Sequence, residues 1–134
     1  MTTEVNDKLV LFCGESATGK SACLRNLRKV LYLNCESGKK LPFKPQQFLE
    51  KTITDPYQVY EGFQWAESQI EIETIVVDGL NYLMDMFESL YIVPATDTRK
   101  GWTDYAQYFK NLMQQYVAKS TKNVIFTARH TILS

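Results

Sequence analysis

Apolar residues in this chain follow two rhythms: short unbroken runs that close on a glycine or an acid, and longer stretches that repeat every three or four positions. The run "KLVLFC" (8–13), with Gly14 directly behind it, predicts a buried central strand. "VLYLNC" (30–35), "TIVVDG" (74–79) and "NVIFTA" (123–128) predict three more, and a weak edge strand is expected around 48–53, after the basic, proline-bearing loop "SGKKLPFKPQQ". Helical spacing fills the gaps. One helix is expected from near Gly19 to about Arg28. A second is expected over "DPYQVYEGFQWAESQI", with Asp55 as N-cap, Pro56 in the first helical position and Gln58 closing a capping box. Its stripe is Val59, Phe63, Ala66 and Ile70. A third stripe, Leu80, Leu83, Met84, Phe87, Leu90 and Tyr91, stops before Pro94, and the polar loop "PATDTRKG" follows. The last carries Trp102, Tyr105, Phe109, Leu112, Met113 and Tyr116, read as core rather than as a platform for stacking bases. Strands alternating with helices predict an α/β fold, three layers (α/β/α) around a largely parallel sheet.

The junction "RNLRKVLYLN" breaks the pattern, because helix passes to strand with no glycine, proline or aspartate to turn the chain. Connections of this kind usually take two to six residues. Missing loop residues near Lys29–Val30 are therefore expected.

Length and charge narrow the picture. The chain has 134 residues, enough for one domain with a real core but short for a complete nucleotide-binding domain. Fifteen basic and fifteen acidic residues cancel, so no global field draws the chain to nucleic acid or anionic membrane, although a local basic loop could still bind. Cys13, Cys23 and Cys35 lack C-x-x-C spacing and are expected to be buried, reduced thiols. No apolar run approaches a membrane span and no signal peptide opens the chain, so a cytoplasmic protein without membrane association is expected.

Candidate chemistry begins with "GESATGKS", which is Gly14, Glu15, Ser16, Ala17, Thr18, Gly19, Lys20 and Ser21. Its glycines let successive N–H groups converge on phosphate oxygens, and a helix N-terminus there adds partial positive charge. Lys20 would reach the β- and γ-phosphates and Ser21 would offer a hydroxyl to Mg2+. A chance match in a chain this long is on the order of 0.5%, and a strand before with a helix after is the context the motif requires. Asp78 ends an apolar strand, which places a carboxylate on the same sheet edge as the phosphate loop. The metal-side role is weighed against that of an N-cap for the following helix. Glu36, just past the second strand and expected beside the phosphate-loop strand, could orient a water attacking the γ-phosphate.

At this point the residues resemble a family. "YLNCESG" looks like the segment of RecA-like recombinase ATPases whose glutamate polarises the hydrolytic water, with Asn34 where that family often has aspartate. "VIFTARH" resembles the strand that ends in γ-phosphate-sensing residues and inserts between the strands of the phosphate loop and the metal-side acid. The pattern from Leu9 to about His130 is most similar to phage-encoded RecA-like ATPases of single-strand annealing and recombination. The resemblance implies one RecA-like domain over 1–134, incomplete at its C-terminus, with ATP and Mg2+ as cofactors. It also implies Lys20 and Glu36 as catalytic residues, and Thr127, Arg129 and His130 as candidate sensors. Single-stranded DNA and further copies of the chain would be the partners. Arg99 and Lys100, in the polar loop, are candidates for an arginine finger or a DNA contact, against the plain alternative of a solvated loop. The absence of an Asn-Lys-x-Asp stretch favours adenine. Two other readings stay open: a small-molecule or nucleotide kinase, and a nucleotide-dependent switch or loader that does not hydrolyse.

Overall fold

The computed structural model describes residues 10–15, 27–36 and 48–129. Five parallel strands form one sheet: β1 (Val10–Glu15), β2 (Val30–Asn34), β3 (Phe48–Thr52), β4 (Thr74–Asp78) and β5 (Asn123–Arg129). Their spatial order is β1-β5-β4-β2-β3. Every described pairing is parallel, so the crossovers need helices. These are α1 (Tyr57–Glu67), α2 (Leu80–Phe87), which continues as a wider turn over Glu88–Ile92, and α3 (Thr98–Asn111), which continues likewise over Leu112–Val117.

The strands inside the sheet read as continuous apolar runs because both faces are covered. Leu31, Leu33, Ile75, Val77, Val124 and Phe126 face α1, α2 and α3. Val30, Tyr32, Val76 and Ile125 form a second cluster with Cys13 on the opposite face, with Leu27 packed against it. The helix expected between Gly19 and Arg28 lies mostly outside the described residues. β1 departs from expectation. It stands at the end of the strand order, and Phe12 is 61% exposed, so β1 is an edge rather than a central strand.

Three helical stripes are corrected by the structure. α1 buries Val59, Phe63 and Ala66, but Ile70 lies beyond the helix end and is 94% exposed. Along α2 the buried positions are Leu83, Phe87 and Ile92, while Met84, Leu90 and Tyr91 are exposed. Along α3 they are Gly101, Tyr108, Leu112 and Val117, whereas Trp102 and Met113 are exposed. At the C-terminal ends of both α2 and α3, bonds from Val93 N–H to Glu88 C=O and from Ala118 N–H to Met113 C=O, both 2.9 Å, span five residues instead of four. The wider turn rotates the buried stripe, so Ile92 and Val117 face inward.

The N-cap of α1 is Pro56 rather than Asp55, and it makes no side-chain cap bond. Just ahead of it Asp55 accepts from Tyr57 N–H at 2.9 Å and the Gln58 side chain accepts from Asp55 N–H at 3.4 Å, the reciprocal half of the expected capping box. Aromatic rings then join α1 to α3: Tyr60 stacks on Tyr108 at 4.8 Å and on Tyr116 at 4.2 Å, and the Tyr108 hydroxyl donates to Pro56 C=O. Tyr91 donates to Asp55, a bond that together with burial pushes its hydroxyl up to about 12. Lys29, with a positive φ of 53°, makes the turn into β2 that no glycine marks. Cys35 is a free, buried thiol pushed up to about 12 by burial, as a reduced core cysteine should be. Cys13 is disulfide-bonded, contrary to the expectation of reduced thiols throughout. No helix among the described residues is long and apolar enough to cross a membrane.

Candidate functional site

The strand ends bring Asp78 and Thr127 into one row with Asn34. Register pairs Cys13 with Thr127, Thr127 with Asp78, Asp78 with Asn34, and Asn34 with Thr52, across all five strands. The row lies at the carboxyl edge of a parallel sheet, where open α/β folds collect their ligand-binding residues. β5 stands between β1 and β4, as the resemblance implied. β2 does not stand beside β1. It pairs with β4 and β3, so Glu36 emerges next to the strand of Asp78. Strand spacing puts β2 roughly 14 Å from β1 but only about 5 Å from β4.

Asp78 and Thr127 are both fully buried, a costly place for a carboxylate unless it is hydrogen-bonded. The Thr127 hydroxyl donates to Asp78 Oδ1 at 2.6 Å, joining the two strand ends through their side chains. The N-cap of α2 is Gly79, with no side-chain cap bond, so Asp78 is not the helix cap. The Asp78–Gly79 peptide is cis. Glycine fits at 79 because an added Cβ would come within 3.3 Å of Thr127 C=O and 3.2 Å of Asn81 Oδ1.

Asn34 shapes the end of β2. Its Oδ1 accepts from Glu36 N–H at 3.0 Å, a side-chain turn that bends the chain directly after the strand. Its Nδ2 donates to Glu50 Oε2, on edge strand β3, at 2.9 Å. Cys35 N–H donates to Asp78 C=O at 2.6 Å, so the exit of β2 is also fastened to β4. Glu36 is half-buried at this turn. The Asn34–Glu50 pairing was not legible in the sequence, since nothing in the spacing of positions 34 and 50 signals that β2 and β3 are neighbours.

Gly14 and Glu15 end β1, their backbones paired with Ala128 and Arg129 of β5. The side chain of Arg129, and Ser16, Ala17, Thr18, Gly19, Lys20, Ser21 and His130, lie outside the described residues. Arg99 and Lys100 are not in a loop. They occupy the first turn of α3, where Asp97 caps their N–H groups at 3.0 and 3.4 Å. Lys100 donates to Asp104 at 2.9 Å, and this bond, with the charge of Asp104, raises the lysine above its usual range. The row of strand ends includes neither residue.

A parallel sheet with helices, the phosphate-loop sequence at the end of β1 and a buried acid on β4 with β5 between them define an α/β P-loop NTPase. Comparison with protein families agrees: the AAA domain family matches residues 6–132, nearly the whole chain, and the chain belongs to that family of nucleotide-binding P-loop proteins. No curated protein matches it.

Proposed function

We propose that this chain binds ATP with Mg2+ and hydrolyses it, and that hydrolysis serves single-stranded DNA handling by an assembly of copies of the chain. The observation that carries the reading is the buried Asp78–Thr127 pair on adjacent strand ends, at the edge where "GESATGKS" begins. A fully buried carboxylate held by a hydroxyl presents hard oxygen donors, the set that suits Mg2+ bound largely through substrate phosphates. Asp78 and Ser21 would hold the metal, which supplies charge neutralisation on the phosphates.

In this reading the backbone from Gly14 to Ser21 and the Lys20 ammonium cradle the triphosphate. Thr127 holds the Asp78 carboxylate in one orientation, and Arg129 and His130 are left as the candidates for direct γ-phosphate contact. Glu36 accepts the proton of the water that attacks the γ-phosphate, releasing ADP and phosphate. Its place beside β4 suits a water near the metal-side acid. Arg99, exposed on the first turn of α3, is the better candidate for reaching a neighbour's nucleotide, because Lys100 is already paired with Asp104. The DNA role and the assembly rest on the RecA-like resemblance.

The test is Mg-ATP turnover by the chain with and without single-stranded DNA, with Lys20→Ala as the blank. Turnover that DNA stimulates and the blank lacks is expected. Turnover indifferent to DNA would remove the coupling, tight ATP binding without turnover would make the chain a switch, and transfer to an acceptor would make it a kinase.

A further inference from the structure

Asn34 occupies the position where RecA-like segments often carry aspartate, and the structure supplies a physical reason for the amide. Its neighbours demand opposite chemistry from its two ends. Glu36 N–H is a donor and needs an oxygen, which Oδ1 provides at 3.0 Å. The Glu50 carboxylate is an acceptor and needs an N–H, which Nδ2 provides at 2.9 Å. Both partners select the same amide orientation, so the assignment of nitrogen and oxygen is over-determined. An aspartate could still accept from Glu36 N–H, but it would set a second carboxylate against Glu50 in place of the amide donor.

We infer that Asn34 and Glu50 form a positioning pair for Glu36: Glu50, on edge strand β3, anchors the Asn34 amide, and the amide fixes the backbone from which Glu36 reaches its water. The inference rests on the reading of Glu36 as the hydrolytic base. It makes the edge strand, which carries none of the motif residues, part of the hydrolytic apparatus. Asn34 C=O accepts from Ile53 N–H at 2.8 Å and Cys35 N–H donates to Asp78 C=O, so the Asn34–Cys35 peptide is fastened to both neighbouring strands. Beyond that peptide, the Asn34 side chain holds the chain through Glu36 N–H.

The pair can be tested by exchanging its chemistry. Asn34→Asp should lower kcat by about tenfold to a hundredfold, the scale of a misplaced catalytic group. The dissociation constant for Mg-ATP should stay within about threefold, because the phosphate loop is untouched. Glu50→Gln alone should be nearly silent, since the Asn34 amide can donate to a glutamine oxygen. In the double variant Asn34→Asp/Glu50→Gln, the new glutamine N–H donates to the new aspartate, and kcat should recover to within about threefold of the parent. A merely architectural role would alter the thermal midpoint and ATP affinity together with the rate, without that split. If Asn34→Asp does not fold, Glu50→Ala on the exposed edge strand serves instead, with kcat expected to fall about threefold to tenfold. Unchanged kcat in Asn34→Asp, or in Glu50→Ala where that variant stands in, would overturn the inference. So would a loss in Asn34→Asp that the double variant does not restore. Glu36→Gln is measured alongside. If it retains full turnover, the base assignment fails and the pair has nothing to position; if it is inactive while Asn34→Asp is not, only the pair fails.

Discussion

Asp78 shows how much one hydroxyl can decide. The carboxylate sits at the end of a strand whose residues are all buried, and the Thr127 hydroxyl at 2.6 Å gives it a donor there. A hydrogen bond to a charged group contributes about 1.5–3 kcal/mol, and removing the donor leaves the desolvation cost of the acid in place. Thr127→Val keeps the shape and removes only the hydroxyl, so it should lower stability by about 2 kcal/mol and slow ATP turnover, whereas Thr127→Ser should restore most of both. Urea unfolding with an unchanged slope, read beside kcat, checks this; a valine variant as stable and active as the parent would show that the bond does nothing. The sequence made Asp78 visible, because a carboxylate closing the apolar run "TIVVD" carries a desolvation cost that a purely structural position would avoid. It made Thr127 visible only through resemblance. Lys29 was illegible for a different reason: a lysine at φ 53° adopts a conformation that costs an L-residue about 1–2 kcal/mol, so residue type argues against the turn that the fold imposes.

Among the elements, strands were read more reliably than helix faces. An unbroken run such as "TIVVD" looks the same whichever neighbours flank it, and β2, β4 and β5 appear where those runs place them. Helix stripes depend on residues per turn, and α2 and α3 both widen at their C-terminal ends. The abundance of aromatics on α3 hid the shift, since Tyr105 and Tyr108 are equally good apolar candidates and only packing distinguishes them. The chosen face places Gly101 against the end of α2. An added Cβ would stand 3.3 Å from Ile92 Cα, a backbone atom that no rotamer change can move away. Gly101→Ala thus sets a gain of about 1 kcal/mol in helix propensity against overpacking that usually costs about 1–3 kcal/mol. The packing side should prevail, with a net loss of about 1 kcal/mol in denaturant unfolding. A stabilised variant would mean that α3 can slide away from Ile92 at little cost.

At the scale of the whole molecule, the lateral order of strands is what the sequence conceals. The run "TIVVD" announced that Asp78 ends its strand, whereas the run expected to end at Cys13 continues to Glu15; nothing local states that β2 lies beyond β4 rather than beside β1, or that β3 flanks it. That order is set by which helix covers which crossover, a tertiary matter, and it is why Glu36 was expected beside β1 and why Glu50 went unnoticed. The same order has a thermodynamic consequence. In the proposed reading, a triphosphate at the end of β1 and a metal-side acid on β4 would engage strands separated by β5, so a ligand bridging them would draw on the folded sheet as a unit. Binding only the folded state adds about 2.7 kcal/mol of stability at a ligand concentration one hundred times the dissociation constant. For a chain of this size that corresponds to a rise in Tm of roughly 10 °C. Mg-ATP should produce that rise in thermal unfolding of the chain, and Lys20→Ala should abolish it while leaving the unliganded midpoint nearly unchanged, since the substitution removes a phosphate contact rather than core packing. A rise equal in the two proteins would place the nucleotide away from the phosphate loop. No rise in either, at concentrations that saturate any binding seen by calorimetry, would mean that the row of strand ends is not held together by nucleotide.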